Sequence, residues 1–293
     1  MFADLHLHTK FSDGTYTPEE LVAQAKLHRL AAIALTDHDT VEGCARAAAA
    51  AKATGIEFIP GSELTSEHGG VEVHILAYFV DTANRELLAE LKKFQAVRQN
   101  RIHEMCVALN ALGVGLQAEA VFALADCQSP GRPHVARALV AGKFCRSLDE
   151  AFDRFLKKGR PAFVPKFKMS CAHAIELIHR AGGLAVMAHP ALNRNDEIIP
   201  AVVEAELDGI EVFHTKHNPA ANKRYMDLAK KFNLLVTGGS DCHGLSKGRP
   251  LIGTVKLDYS YVTNMKLKAG RRETKAENGE ALALNSRPLP PDS

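Results

Sequence analysis

The sequence predicts an α/β fold in which parallel strands carry helices on their outer faces, interrupted by one all-helical segment. Three observations lead there. Short apolar runs alternate with amphipathic stretches over residues 1–80 and again over 160–265, the signature of repeated βα units. Residues 81–159 carry no strand pattern. Imidazoles and carboxylates recur where predicted strands end, and in parallel βα folds that carboxyl rim holds the functional site. These patterns fit a barrel and an open sheet equally.

The first strand carries Asp4-Leu5-His6-Leu7-His8-Thr9. A strand repeats its side-chain direction every two residues, so His6 and His8 leave one face while Leu5 and Leu7 leave the other. Thr17-Pro18-Glu19-Glu20 reads as a capping box with proline in the first helical turn. A short apolar strand over 31–36 leads into Asp37-His38-Asp39, and an alanine-rich helix then stops at Gly55. The next strand, 56–60, ends in Gly61-Ser62-Glu63, and a further one over 71–79 carries His74 in its middle.

Within 81–159 the pattern predicts a long amphipathic helix over 84–112 and shorter ones over 117–125, 133–142 and 147–158. This reads as a helical insertion whose most chemical piece is Ser129-Pro130-Gly131-Arg132-Pro133-His134. The alternation then resumes with a helix over 170–181, a strand over 184–188 ending in His189-Pro190, and a strand over 209–213 ending in His214. A helix over 219–232 leads to the last strand, 234–237, which runs into Gly238-Gly239-Ser240-Asp241-Cys242-His243. Residues 266–293 read as a polar C-terminal extension without chemistry.

Bulk composition narrows the class. The 293 residues are 46% hydrophobic with a net charge of +2, so no global basic field points to long nucleic acid or a membrane surface. The six cysteines include no Cys-x-x-Cys pair, which argues against a zinc knuckle or a disulfide framework and for reduced thiols. The first strand starts at the initiator methionine, leaving no room for a secretory leader, and no apolar run reaches the roughly 20 residues a bilayer needs. A cytoplasmic location is expected. No Gly-x-Gly-x-x-Gly or Walker loop is present.

The fourteen histidines are the compositional oddity. His6, His8, His38, Glu63, His189, His214, Asp241 and His243 fall at or just beyond the ends of predicted strands, and His74 lies within one. Imidazole and carboxylate without thiolate suit Mn, Fe or Zn. Nine ligands exceed what one ion can use, which implies two or three. Three divalent ions against the carboxylates of Asp13, Glu63 and Asp241 leave an excess of roughly +3, a setting for an anion such as a phosphate ester. Asp37 and Asp39 flank His38, and each could orient it or simply cap a strand end. His28, His68, His103, His173 and His179 lie away from the rim.

As a set, His6-x-His8 with Ser12-Asp13-Gly14, Thr36-Asp37-His38, Gly61-x-Glu63, His74, His189-Pro190 and Gly239-Ser240-Asp241-x-His243 resemble the motifs of the PHP (polymerase and histidinol phosphatase) family. The resemblance implies a distorted (β/α)7 barrel, a trinuclear metal site and phosphoesterase chemistry. It implies one ion held by His6, His8 and Asp241, a second by Glu63, His74 and His189, and a third by Asp13, His38 and His243. Metal-activated hydroxide would attack phosphorus. The insertion with Gly131-Arg132-Pro133-His134, together with Val164-Pro165-Lys166, is similar to one branch. Members of that branch remove the 3′-phosphate of nucleoside 3′,5′-bisphosphates or act as 5′→3′ exonucleases on short 5′-phosphorylated oligonucleotides. Arg132, His134, Lys166 and His217 are the expected substrate contacts, Arg132 gripping a second, non-reacting phosphate. A phosphatase for histidinol phosphate or another small monoester is the alternative within the same chemistry. A non-catalytic PHP binding module is the alternative outside it.

Overall fold

Strand β1 (Phe2–Asp4) does not end its chain's path at Asp4: the next residues continue along β8 (Leu235–Gly239) and close a barrel. Leu5 N–H donates to the Gly238 carbonyl at 3.1 Å and Leu7 bridges Cys242 in parallel. A computed structural model describes residues 1–166 and 169–285. The remaining strands are β2 (Ala32–Leu35), β3 (Glu57–His68), β4 (Val71–Tyr78), β5 (Met169–Ser170), β6 (Leu184–Met187), β7 (Gly209–His214) and β9 (Leu257–Asp258). Their order is β8-β7-β6-β4-β3-β2-β1-β9, with β5 beside β3. The closed wall is therefore β1, β2, β3, β4, β6, β7 and β8.

The wall is not uniformly parallel, which corrects the expectation from βα alternation. β3 runs on to His68, and its partner β4 returns antiparallel, from Gly61↔Tyr78 to His68↔Val71; β4 is also antiparallel to β6. Gly69 and Gly70 cause this. Both have positive φ, 57° and 80°, the backbone of a two-residue hairpin turn whose twist matches that of the strands. A direct hairpin here replaces a helical crossover and distorts the barrel.

Strand residues alternate between two apolar layers, as period-2 geometry requires. Ala3, Ala32, Ala34, Ile59, Leu76, Tyr78 and Val186 share one buried cluster, while Ile33, Leu35, Ile75, Ala77, Ala185 and Met187 share another with the helices. Those helices are α1 (Pro18–Leu27), α2 (Cys44–Thr54), α7 (Cys171–Arg180), α8 (Ile198–Glu204) and α9 (Pro219–Lys231). Thr17 and Glu20 form the capping box of α1, and Gly55, in the left-handed region, ends α2.

The insertion is built from α3 (Arg85–Ala111), α4 (Ala118–Ala125), α5 (Arg132–Ala141) and α6 (Leu148–Ala151), which continues as a π turn over Phe152–Leu156. It has its own buried cluster around Ile102, Met105, Val121, Val135, Leu139 and Leu156. Helix α3 belongs to both bodies. Leu87, Leu91 and Phe94 pack on the barrel; Ile102, Met105 and Leu109 pack in the insertion.

A second correction concerns the C-terminus. α10 (Tyr259–Asn285) runs straight through Lys266. Val262, Met265 and Ala269 join the barrel's inner cluster, and Arg272 Nη1 donates to Gly183 O at 2.9 Å. The apolar spacing of Val262, Met265 and Ala269 marks one helical face. The Arg-Pro-Leu-Pro-Pro-Asp-Ser terminus lies outside the described residues. Among the described residues no helix is long and apolar enough to cross a membrane.

Asp208, at the start of β7, ties this end together. It meets His179 Nε2 at 2.8 Å, Ala185 N at 2.9 Å, Arg272 Nη1 at 2.9 Å and Lys268 Nζ at 3.1 Å. Burial alone would raise its pKa, but these donors and cations hold it at about 2. Asp208→Asn should therefore cost about 2 kcal/mol at neutral pH by urea melt. A depressed native pKa stabilises above the unfolded value, so the deficit should narrow as pH falls from about 4 toward 2.

Candidate metal centre

The rim of the barrel is held by buried carboxylates that bind backbone. Asp4 Oδ1 accepts from Ser240 N–H at 2.8 Å and its Oδ2 from Gly253 N–H at 3.2 Å, fastening the start of β1 to the loop after β8. Contact is so close that a Cβ on Gly239 would sit 2.4 Å from the backbone nitrogen of His6. Asp37 accepts from Thr9 N–H at 2.7 Å, from the Thr9 hydroxyl and from Ser12 Oγ at 2.6 Å, fixing the loop that carries Asp13. Asp39 accepts from Thr65 N–H at 2.8 Å and from Arg98 at 2.6 Å, joining β3 to α3. The two aspartates flanking His38 thus act on backbone and on a neighbouring helix.

Glu63, 1% exposed, lies at the centre. Its Oε2 is 3.3 Å from His6 Nε2, 3.4 Å from His8 Nε2 and 3.1 Å from His38 Nδ1. Its Oε1 is 2.7 Å from His74 Nδ1 and 3.0 Å from His189 Nε2. Asp241 Oδ1 lies 3.6 Å from His6, 3.3 Å from His8 and 3.4 Å from His243. Asp13 Oδ1 lies 3.1 Å from His243 Nε2 and 3.9 Å from His38 Nε2.

The nine residues expected as metal ligands, from His6 to His243, converge here. Their donor atoms gather into four overlapping groups: His8, Asp13, His38 and His243; His6, His8 and Asp241; His6, Glu63 and His189; His38, Glu63 and His74. Burial would raise the carboxyls of Glu63, Asp13 and Asp241, but the surrounding imidazoles hold all three well below the usual carboxylate range. Burial likewise opposes charge on His74 and His243, yet Glu63 and Asp13 respectively lift them to about 9.

Whether these residues fit metal ions is decided by their unpaired atoms. His6 Nε2, both nitrogens of His8, Asp13 Oδ1, His38 Nδ1 and Glu63 Oε2 are buried without a hydrogen-bond partner. Orphaned buried polar atoms cost about 1–3 kcal/mol each, and facing lone pairs repel one another. Divalent cations bound among these residues would satisfy them. The donors are nitrogen and oxygen, since Cys242 directs its sulfur to Gly244 N–H at 3.3 Å.

Glu211 escapes the sequence reading, and His214, which that reading places on the rim, is not among the expected ligands. Glu211, on β7, sits 3.1 Å from His6 Nδ1 and accepts from His189 N–H at 2.8 Å. A carboxylate on the second nitrogen fixes which nitrogen of the ring faces a metal. The available signal is a lone charge inside the apolar strand Gly209-Ile210-Glu211-Val212. His214 accepts from Lys216 N–H through Nδ1 at 3.1 Å, so the neutral ring carries its proton on Nε2, 3.6 Å from Asp241 Oδ2.

Beside the ligands lies a cationic group. Lys166 Nζ is 3.0 Å from Glu72 Oε1, which also meets His74 Nε2 at 3.1 Å. Arg101 donates to Val164 O at 2.8 Å and keeps a buried Nη2 without a partner. Arg132 lies over the Phe163 ring at 5.6 Å. Burial lowers Lys166, Arg132 and Arg101, the last to about 10, and the neighbouring guanidiniums add to each shift. Arg98 stands beside this group, paired with Asp39. Arg98 and Arg101, one turn apart on α3, were not singled out in the sequence. His134 is turned inward, its Nδ1 accepting from Gly131 N–H at 3.1 Å, and His217 stands behind His214 with Nδ1 on Val212 O at 2.8 Å.

A βα barrel whose rim carries clustered imidazoles and carboxylates defines a metal-dependent hydrolase. The chain belongs to the PHP domain family, whose model matches residues 4–160. It is 34% identical over 258 residues to the 3′,5′-nucleoside bisphosphate phosphatase of Chromobacterium violaceum, covering 85% of this chain and 90% of that protein. It is 32% identical over 248 residues to the 5′-3′ exoribonuclease Rnm of Escherichia coli, covering 82% of this chain and 84% of that protein. A solved amidohydrolase from Chromobacterium violaceum, with bound sulfate and no metal, superposes with a TM-score of 0.79 at 32% identity over 87% of this chain and 91% of that one. The protein is a metal-dependent phosphoesterase.

Glu211→Gln keeps the volume but removes the charge that polarises His6. Metal affinity, measured by calorimetric titration, should fall about tenfold or more, with an unchanged circular dichroism spectrum.

Proposed function

We propose that this enzyme hydrolyses the 3′-phosphate of nucleoside 3′,5′-bisphosphates, such as adenosine 3′,5′-bisphosphate to AMP and phosphate, using manganese ions. The same site trims short 5′-phosphorylated oligonucleotides from the 5′ end. In this reading His6, His8 and Asp241 hold one ion, Glu63, His74 and His189 a second, and Asp13, His38 and His243 the third. Bound divalent ions lower the pKa of water and neutralise phosphoryl oxygens.

The observation that carries the substrate class is the cation group next to His74. Lys166 pairs with Glu72, Arg101 and Arg132 lie within electrostatic reach of the same carboxylate, and Glu72 touches His74 directly. A dianion bound there would position a second ester over the ligands. Guanidinium forks suit phosphate geometry, and holding a remote group converts binding energy into orientation of the reacting one. A 5′-phosphate is such a group. Seen from it, the 3′-phosphate of a bisphosphate and the first internucleotide phosphate of an oligonucleotide occupy the same position, so one site serves both. The names of the two enzymes to which the chain is similar support this reading. Histidinol phosphate, with one phosphate, would leave the cation group unused. The six cysteines are free thiols, which fits a cytoplasmic enzyme.

Phosphate release by manganese-loaded protein tests the reading. Adenosine 3′,5′-bisphosphate should turn over fast, histidinol phosphate slowly, and a chelator should abolish both. Preference for histidinol phosphate would overturn the substrate class. Arg132→Ala should raise KM for the bisphosphate at least tenfold with a smaller effect on kcat, since it removes a contact to a group that does not react. His8→Ala and Asp241→Ala should each be inactive while remaining folded.

A further inference from the structure

A cavity of about 490 Å³ opens against the ligand groups at Asp13 and His243. Its chemistry is unlike that of the cation group. Pro133, Leu148 and Phe152 give it apolar walls, and Asp149 and Ser246 place polar atoms at its edge. Arg137 also lines it and is anchored by a hydrogen bond from Nη2 to the Asp13 carbonyl. Phe152 begins the π turn Phe152–Leu156 and is half-buried. Such turns re-aim side chains and recur at functional sites.

We propose that this cavity receives the nucleobase of the substrate, Phe152 supplying the stacking face. The inference rests on the function proposed above, and four observations carry it. The cavity shares Asp13 and His243 with the ligand groups, so a group attached to an ester held there reaches it directly. The cation group meets the ligands at His74 instead, which leaves the phosphate-binding and base-binding regions on different ligand groups. The walls combine an aromatic face with the planar guanidinium of Arg137, surfaces on which any base stacks. The carboxylates of Asp149 and Asp13 disfavour a second anion, whereas a neutral heterocycle with an exocyclic amino group gives Asp149 a hydrogen-bond donor.

The test compares a substrate with a base and one without. For wild type, kcat/KM for adenosine 3′,5′-bisphosphate should exceed that for ribose 3,5-bisphosphate at least tenfold. Phe152→Ala should collapse that ratio toward one. Because Phe152 also packs on the insertion's core, Ser246→Trp, which fills the cavity from its edge, provides a second variant with the same expected loss. In parallel, calorimetry on the protein without added metal should show AMP binding at least tenfold tighter than ribose 5-phosphate, and both variants should erase the difference. If the ratios survive both substitutions, the base lies elsewhere and the inference falls. If wild type turns over neither bisphosphate, the proposed function fails. The AMP titration still judges the cavity, since binding unaffected by Phe152→Ala or Ser246→Trp overturns it.

Discussion

The architecture of the rim depends on one buried carboxylate. Glu63 touches five imidazoles, from His6, His8, His38, His74 and His189, which arrive on four different strands or strand extensions. An ionised group at 1% exposure is tolerable only when strongly compensated. The compensation here comes from the residues that would hold metal, so the stability of the rim and its capacity for ions share one cause. Asp4, Asp37 and Asp39 extend the principle outward. Each is buried and accepts from backbone or hydroxyl donors near the ligands, and Asp39 also binds Arg98.

Much of this was legible in the sequence because it follows from short-range rules. Strand alternation puts His6 and His8 on one face, and strand ends put His38, Glu63, His189 and Asp241 on one rim. Thr17 with Glu20, and Gly55, mark helix ends through local hydrogen bonds and backbone freedom. What was misread depends on longer range or on context. Ending the third strand at Pro60 hid the hairpin, although Gly69-Gly70 between two strand-like runs carries that signal. Setting aside 266 onward as polar overlooked Ala269, whose burial depends on what the barrel presents to it.

The partners of the ligands were least visible. Glu211 acts through hydrogen bonds to His6 and His189, and His214 faces Asp241 at 3.6 Å, all remote in sequence; nothing in local pattern distinguishes the two from an ordinary buried charge or a strand-end histidine. Arg98 and Arg101 acquire meaning only when α3 lies beside the loop bearing Arg132. A lone arginine on an amphipathic helix reads as a solvated charge, and three-dimensional convergence changes that reading.

Helix α3 carries a consequence for substrate length. Its first half is part of the barrel's apolar packing and its second half part of the insertion's, with Arg98 and Arg101 between them. A continuous helix cored into both bodies does not hinge at that junction, so the cations stand at a set distance from the ligands on the rim. On the proposed assignment this makes the enzyme a fixed ruler one nucleotide long. Longer chains would be shortened by repeated re-seating of each new 5′ end, and a nucleoside 3′,5′-bisphosphate presents the same single interval.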